Sequence, residues 1–147
     1  MFFLLYIFAF IFCIFSMNWV YVENDVTSYL PDGTETRLGL EAMPGIDRCM
    51  FAAADQPLLR RDTVSALALA AANAPDSIWR TICGGIPGSP VIFPKWSFPE
   101  LWNLPEGKGG GVVIKKYPER LRTVSVRDGY ELKDVDTPED LVELRKR

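Results

Sequence analysis

The stretch CMFAAADQP, residues 49–57, joins a short apolar run to an acid, Asp55. Such a run is typical of a buried strand in a parallel sheet. A second acidic stretch, DVDTPEDL at residues 134–141, places Asp136 after another predicted strand. Ligands of open α/β sheets bind at the carboxyl ends of strands, and two carboxylates there suit a hard divalent cation beside a phosphate. An acid after a strand is also a common turn former or helix cap, so both interpretations of each corner stay open.

Composition limits the chain to an ordinary globular domain. It has 147 residues, of which 48% are hydrophobic and 24% charged, enough for one domain with a core. The absence of histidine excludes Ser-His-Asp and Cys-His nucleophile systems and His-rich metal sites. The three cysteines are far apart in the sequence and favour neither a disulfide framework nor a CxxC site. We therefore expect a reducing, cytoplasmic location.

Charge is distributed unevenly along the chain. The net charge is −3, yet residues 108–133 are mostly basic while residues 23–55 carry mostly acids. This pattern suits an anionic ligand bound locally, although a charge run is usually just a solvated face. Nucleic acid is not indicated as a partner.

The N-terminal residues 2–22 are free of charge and long enough for a membrane-spanning helix. No basic n-region or small-residue cleavage site marks a secretory signal. We expect either a membrane anchor on a cytoplasmic domain or a segment from an upstream start or a truncated reading frame. The predicted domain organisation is an apolar segment at 1–22 and one domain at 23–147.

Strands and helices alternate through the rest of the chain, which predicts an α/β fold. The helix at residues 63–73 has Asp62 as its expected N-cap, and Thr137 with Pro138 begins the last helix. Further helices are expected after Ser97 and over 108–117. Residues 84–90, rich in glycine and proline, predict a loop. Predicted strands cover residues 48–54, 78–83, 91–93, 121–126 and 130–135.

Several short motifs occur in order with plausible spacing. They are T-E-T-R-L-G-L-E at 34–41, D-Q-P at 55–57, G-S-P-V-I-F at 88–93, G-K-G-G at 107–110 and D-V-D-T-P-E-D-L at 134–141. Together they resemble the MobA-like nucleotidyltransferases, in particular the molybdenum cofactor cytidylyltransferase branch. The resemblance covers about residues 34–145. It implies a Rossmann-like, three-layer nucleotidyltransferase sandwich.

The resemblance also implies a reaction and a set of site residues. A nucleotide, CMP from CTP, would pass to the phosphate of a molybdopterin-type cofactor with release of pyrophosphate. Mg²⁺ would be held by the catalytic carboxylates Asp55 and Asp136. The remaining implied contacts are Gln56 and Pro57 shaping the corner, Gly88, Ser89 and Pro90 lining the acceptor side, and Lys108 and Gly109 near phosphate charge. The choice of CTP over GTP follows from the D-Q-P branch alone.

Two departures from the family pattern motivate an alternative. Ser89 stands where many members carry histidine, and nothing before Asp55 resembles the family's opening loop L-x-A-G-x-S-x-R-x-G-x-x-K. The fold would then lack its first βαβ unit, and a central strand would have an exposed edge open to self-association. The alternative is an inactive, truncated fragment, membrane-tethered through residues 2–22, that acts as a binding or structural module. The resemblance to the family also allows a molybdoenzyme as a partner.

Overall fold

The computed structural model describes residues 10–12, 19–21, 34–53, 55–105 and 107–146. Six strands and five helices lie in these ranges. The strands are β1 (Phe10–Phe12), β2 (Trp19–Tyr21), β3 (Arg48–Ala52), β4 (Ile78–Cys83), β5 (Ile86–Pro94) and β6 (Leu121–Ser125). The helices are α1 (Thr34–Glu41), α2 (Arg61–Asn73), α3 (Phe98–Trp102), α4 (Gly111–Lys116) and α5 (Pro138–Leu144). Short 3-10 turns cover Lys95–Ser97, Pro118–Arg120 and Gly129–Leu132.

The strands form one mixed sheet in the order β2-β1-β3-β5-β4-β6. β5 runs antiparallel to both β3 and β4, and β6 runs parallel to β4. It follows that β3, β4 and β6 point the same way and end at the same edge of the sheet. The α/β prediction is confirmed, and this edge is where such sheets bind ligands.

A tight hairpin joins β4 to β5. Cys83 pairs with Ile86 across a two-residue turn, and both turn glycines, Gly84 and Gly85, have positive φ values of 56° and 86°. Two such residues are what a type I′ turn requires. The predicted loop over 84–90 is therefore wrong, because β5 begins at Ile86. Its proline at position 87 is tolerated beside a register shift between Arg80 and Ile82, where the ladder is irregular.

Helices cover both faces of the sheet, which gives the three layers that were expected. On one face, α2 packs Leu67 and Ala71 against Met50 of β3 and Ile92 of β5. On the other face, residues of α1, α3 and α4 pack against β3, β4 and β5. This second cluster consists of Leu40, Met43, Cys49, Ile78, Phe93, Phe98, Leu101, Val113 and Ile114.

β1 lies against the outer edge of β3. Phe10 pairs with Ala52 and Phe12 with Met50, both antiparallel, so the edge of β3 that was expected to be exposed is covered. The described residues of the segment 1–22 are thus strands rather than parts of a membrane-spanning helix, and its other residues lie outside the described ranges. Of the residues described, none belongs to a helix long and apolar enough to cross a bilayer.

The remaining differences from the sequence predictions are the start of one helix and one strand that does not form. Helix α2 begins at Arg61, with Arg60 at its N-cap, so the prediction of Asp62 as the cap is wrong. The predicted strand over 130–135 is also wrong, because Gly129–Leu132 forms a 3-10 turn in which Asp128 Oδ1 accepts a hydrogen bond from Tyr130 N over 3.0 Å. The start of α5 is as predicted: Thr137 caps it in a reciprocal capping box with Asp140.

Candidate functional site

The two acidic corners meet beyond the carboxyl ends of the parallel strands. Asp55 comes directly after β3. The segment 126–136 comes after β6 and lies along the same edge of the sheet. The backbone N–H of Val135 donates to the carbonyl oxygen of Asp55 over 2.9 Å. The corner that contains Asp134 and Asp136 therefore lies directly beside Asp55, as the strand directions imply.

Gln56 joins the two corners with its side chain. Its Nε2 donates to Asp134 Oδ1 over 2.9 Å and to the carbonyl oxygen of Leu132 over 3.2 Å. The residue is only 7% exposed. Because a buried amide is costly to leave unpaired, these bonds fix the segment 132–136 against the end of β3.

Asp55 carries the unusual electrostatics of the site. Burial raises the pKa of its carboxyl group, and the negative charge of Asp134, with a smaller effect from Asp136, raises it further. A backbone hydrogen bond opposes these effects. The Oδ1 atom is buried and has no hydrogen-bond partner among the described residues. A cation at this position would relieve both the charge repulsion and the unpaired oxygen.

The structure brings Asp55 and Asp136 to the same corner, as the sequence suggested, and adds Asp134 to them. Asp134 affects Asp55 more strongly than Asp136 does, although the sequence analysis did not select it. Asp136 is exposed and directly precedes the N-cap of α5, and Pro57 is exposed beside Gln56. Within the described ranges, no group of three acids or cysteines is arranged to hold a metal ion.

Gly88, Ser89 and Pro90 lie on β5 beside the end of β3. Ser89 Oγ accepts a hydrogen bond from the backbone N–H of Ala53 over 3.0 Å. Pro90 is buried and follows a cis peptide bond. Gly88 lies so close to Leu132 that a Cβ atom at this position would be 2.6 Å from Leu132 Cδ1. The predicted acceptor-side residues thus touch both β3 and the segment that carries Asp134.

Lys108 and Gly109 lie in an exposed turn before α4. The backbone N–H of Lys108 donates to the carbonyl oxygen of Pro105, and the carbonyl oxygen of Gly109 accepts from Val112 N, both over 3.1 Å. Among the described residues, Lys108 forms no ion pair. Its ammonium group is therefore free to meet an anion, although the structure does not place it against the acidic corner.

A cavity of about 280 Å³ opens on the sheet face that α3 and α4 cover. Ser89 and Ala53 line it at the end nearest the acidic corner, and Gly110 and Gly111 line it at the start of α4. Arg80 of β4 supplies its only cation among the described residues. The sequence analysis missed Arg80, because a single arginine in an apolar strand gives no local signal that it faces a cavity.

Comparison with known proteins gives one result at the level of a family. No curated protein matches the chain. The family model described as the MobA-like NTP transferase domain matches residues 33–122, more than half of the sequence. The match runs from α1 to the start of β6 and includes Asp55, Gln56 and Ser89. With its mixed sheet and its ligand-binding edge, the chain belongs to the MobA-like NTP transferase family and has a nucleotidyltransferase domain that takes a nucleoside triphosphate as substrate.

Proposed function

We propose that this domain transfers CMP from CTP to the phosphate of a molybdopterin-type cofactor. An oxygen of the acceptor phosphate forms a bond to the α-phosphorus, the bond from that phosphorus to the α–β bridging oxygen breaks, and pyrophosphate leaves. The reaction brings several anions together, so the site must neutralise charge and align the two substrates.

The observation that carries this proposal is the state of Asp55. Its carboxylate lies at the ligand-binding edge, its buried Oδ1 has no partner among the described residues, and the negative charges of Asp134 and Asp136 raise its pKa. A partly buried carboxylate beside like charges is unfavourable without a cation. The corner therefore has the charge and the free oxygen of a site for Mg²⁺.

The donor set fits Mg²⁺ in particular. This ion keeps several waters and is usually bound through one or two carboxylates together with substrate phosphates, a role for which the corner offers Asp55 and Asp136. Asp55 is the principal ligand and Asp136, exposed on the other corner, its partner. When bound, Mg²⁺ would neutralise phosphate charge and favour in-line displacement.

The chain's own residues hold this arrangement in place. Gln56 holds Asp134 at the corner through a hydrogen bond to Asp134 Oδ1. Asp134 therefore acts on Asp55 through its negative charge. Gly88, Ser89 and Pro90 form the wall next to Asp55 on the acceptor side. Lys108 and Gly109 supply a cation and a backbone turn for the remaining phosphate charge.

Calorimetric titration of the full chain with CTP, with and without Mg²⁺, tests the proposal. We expect Mg²⁺-dependent binding that Asp55→Asn abolishes and that Asp76→Asn, a change at an exposed aspartate after α2, leaves intact. A parallel titration with GTP tests the choice of base. Absence of nucleotide binding at millimolar concentration would refute the proposal. Binding without pyrophosphate release in the presence of molybdopterin would leave a nucleotide-binding module.

A further inference from the structure

The cavity beside β5 contains a half-buried cation, Arg80, that the proposed reaction has not used. Arg80 lies on β4 two residues after Ile78, so both side chains point to the sheet face that α3 and α4 cover. There, Arg80 lines the cavity together with Ser89 and Ala53. A charged side chain in this position requires a physical explanation, because the neighbouring positions on this face are apolar.

One hydrogen-bond donor of Arg80 is paired within the protein and one is buried without a partner among the described residues. Its Nη2 donates to the carbonyl oxygen of Gly88 over 3.2 Å, while its Nε is buried without a partner among the described residues. No acid within the described ranges forms a salt bridge with it. Burial lowers the pKa of the guanidinium group, which reflects the cost of holding this charge away from water. An anion in the cavity would remove that cost.

The walls around Arg80 indicate what else the ligand carries. The other polar side chains that line the cavity are the small ones of Ser89 and Thr36. The large side chains around Arg80 are apolar: Phe51, Val91, Phe93, Leu101 and Ile114. Such walls favour a flat ring, and the guanidinium fork favours an oxyanion on that ring. A volume of about 280 Å³ is at the small end for ligand pockets, so it suits one end of a substrate rather than the whole molecule.

We propose that this cavity binds a ring-bearing phosphate monoester, the acceptor end of the reaction, with Arg80 as the residue that recognises its phosphate. The assignment to the acceptor rests on the proposed function. Ala53 and Ser89 connect the cavity to the acidic corner, since Ala53 precedes Asp55 by two residues and is hydrogen-bonded to Ser89. A phosphate held at Arg80 therefore lies on the corner's side of the cavity.

Phenyl phosphate is the probe, because it combines a ring with a phosphate monoester and has no nucleoside. It is titrated into the full chain in EDTA, while NMR follows the Nε–H resonance of Arg80. We expect saturable binding that shifts this resonance. Arg80→Gln should weaken binding about tenfold or more, since a hydrogen-bonded charge is lost. Arg80→Lys should give an intermediate loss, because it keeps the charge without the planar fork.

Controls separate this inference from the proposed function. Arg122→Gln removes an exposed arginine of β6 outside the cavity and should leave phenyl phosphate binding unchanged. Asp55→Asn should abolish Mg²⁺-dependent CTP binding without weakening phenyl phosphate binding, because it removes a negative charge near the bound anion. Failure of CTP binding alone thus counts against the proposed function and not against the cavity.

Three results would overturn the inference. The first is that phenyl phosphate does not bind. The second is that the native chain and Arg80→Gln bind it equally well. The third is that metal-free CTP, followed through the Nε–H resonance of Arg80, binds more tightly than phenyl phosphate. The last would assign the cavity to the nucleotide. The resonance measurement on the native chain needs no variant, so the test holds even if an Arg80 substitution prevents folding.

Discussion

Gln56 and Asp134 are 78 residues apart in the chain and joined by a hydrogen bond of 2.9 Å. This bond connects the turn after β3 to the segment between β6 and α5. The acidic corner is thus formed by tertiary contact between two distant segments. Its geometry depends on Gln56, a neutral residue that does not itself bind the cation.

Replacing Gln56 by methionine should weaken the corner. The variant keeps a side chain of similar length and loses the bonds to Asp134 and Leu132, so we expect the free energy of unfolding to fall by about 1–3 kcal/mol. Urea denaturation measures this change. Gln56→Glu should be worse, because it places a carboxylate against Asp134. Equal stability of Gln56→Glu and the native chain would contradict the geometry.

The raised pKa of Asp55 predicts a specific pH dependence without metal. A carboxyl whose pKa is higher in the folded state stabilises the fold when protonated, and this stabilisation is lost as pH rises from the ordinary value of 3.8 through the raised one. Asp55→Asn should lack this loss and be more stable than the native chain at neutral pH in EDTA. Below pH 3.8 the difference should vanish. Urea denaturation across a pH series checks both points.

Asp76→Asn serves as the matched control for that series, because Asp76 is an exposed aspartate in the turn after α2. It should follow the native profile. A lower stability of Asp55→Asn than of the native chain at neutral pH would show that the Asp55 carboxylate is well paired in the fold, contrary to the structure.

Adding a methyl group at Gly88 should disturb the corner from the side of β5. A Cβ there would lie 2.6 Å from Leu132 Cδ1, so Leu132 must move in Gly88→Ala. We expect a loss of about 1–3 kcal/mol in the free energy of unfolding, as for other overpacked sites. The side-chain amide resonances of Gln56 should shift too, since Leu132 accepts one of its hydrogen bonds.

Gly111→Ala is the control for Gly88→Ala. A Cβ at Gly111 meets nothing within 4 Å, and the residue begins α4, so alanine should leave stability unchanged or raise it slightly. If both alanine variants behaved alike, the close approach of Gly88 to Leu132 would not limit stability.

Removing one hydroxyl group should expose the role of Glu131, which is 7% exposed. Its Oε2 accepts a hydrogen bond from Thr63 Oγ1 over 2.5 Å and a longer one from Arg60 N over 3.4 Å. Thr63→Val leaves this carboxylate without its strongest donor and should cost about 1–3 kcal/mol in unfolding free energy. Thr123→Val, at an exposed position of β6, should have little effect in the same assay. Equal losses in the two variants would contradict a structural role for the Thr63 contact.

Much of the fold could be predicted because local signals agreed with the tertiary structure. The apolar run before Asp55 forms β3, and residues 78–83 form β4 as predicted. Thr137 and Pro138 mark the start of α5, because capping is a local interaction between neighbouring residues. The meeting of the two acidic corners was also predicted, although the second corner follows the 3-10 turn after β6 and not a strand at 130–135.

The failures have tertiary causes. Pro87, Gly88 and Pro90 indicate a loop by composition, yet pairing with β3 and β4 makes them part of β5. Residues 130–135 alternate like a strand, but the buried contact of Glu131 with α2 holds them in a turn. Neither Asp134 nor Arg80 could be selected from the sequence, because their importance lies in partners far away in the chain.

The hairpin between β4 and β5 has a wider consequence. Side chains of a strand alternate between faces, so an insertion at Gly84-Gly85 that moved the pairing register of β5 by one residue would exchange every group of β5 that faces the cavity with one that faces α2. Ser89 would leave the cavity and its bond to Ala53 would be lost. The length of an exposed turn therefore decides which chemical groups meet the ligand. Among related chains, a change in that length alone would provide an evolutionary route to a different substrate.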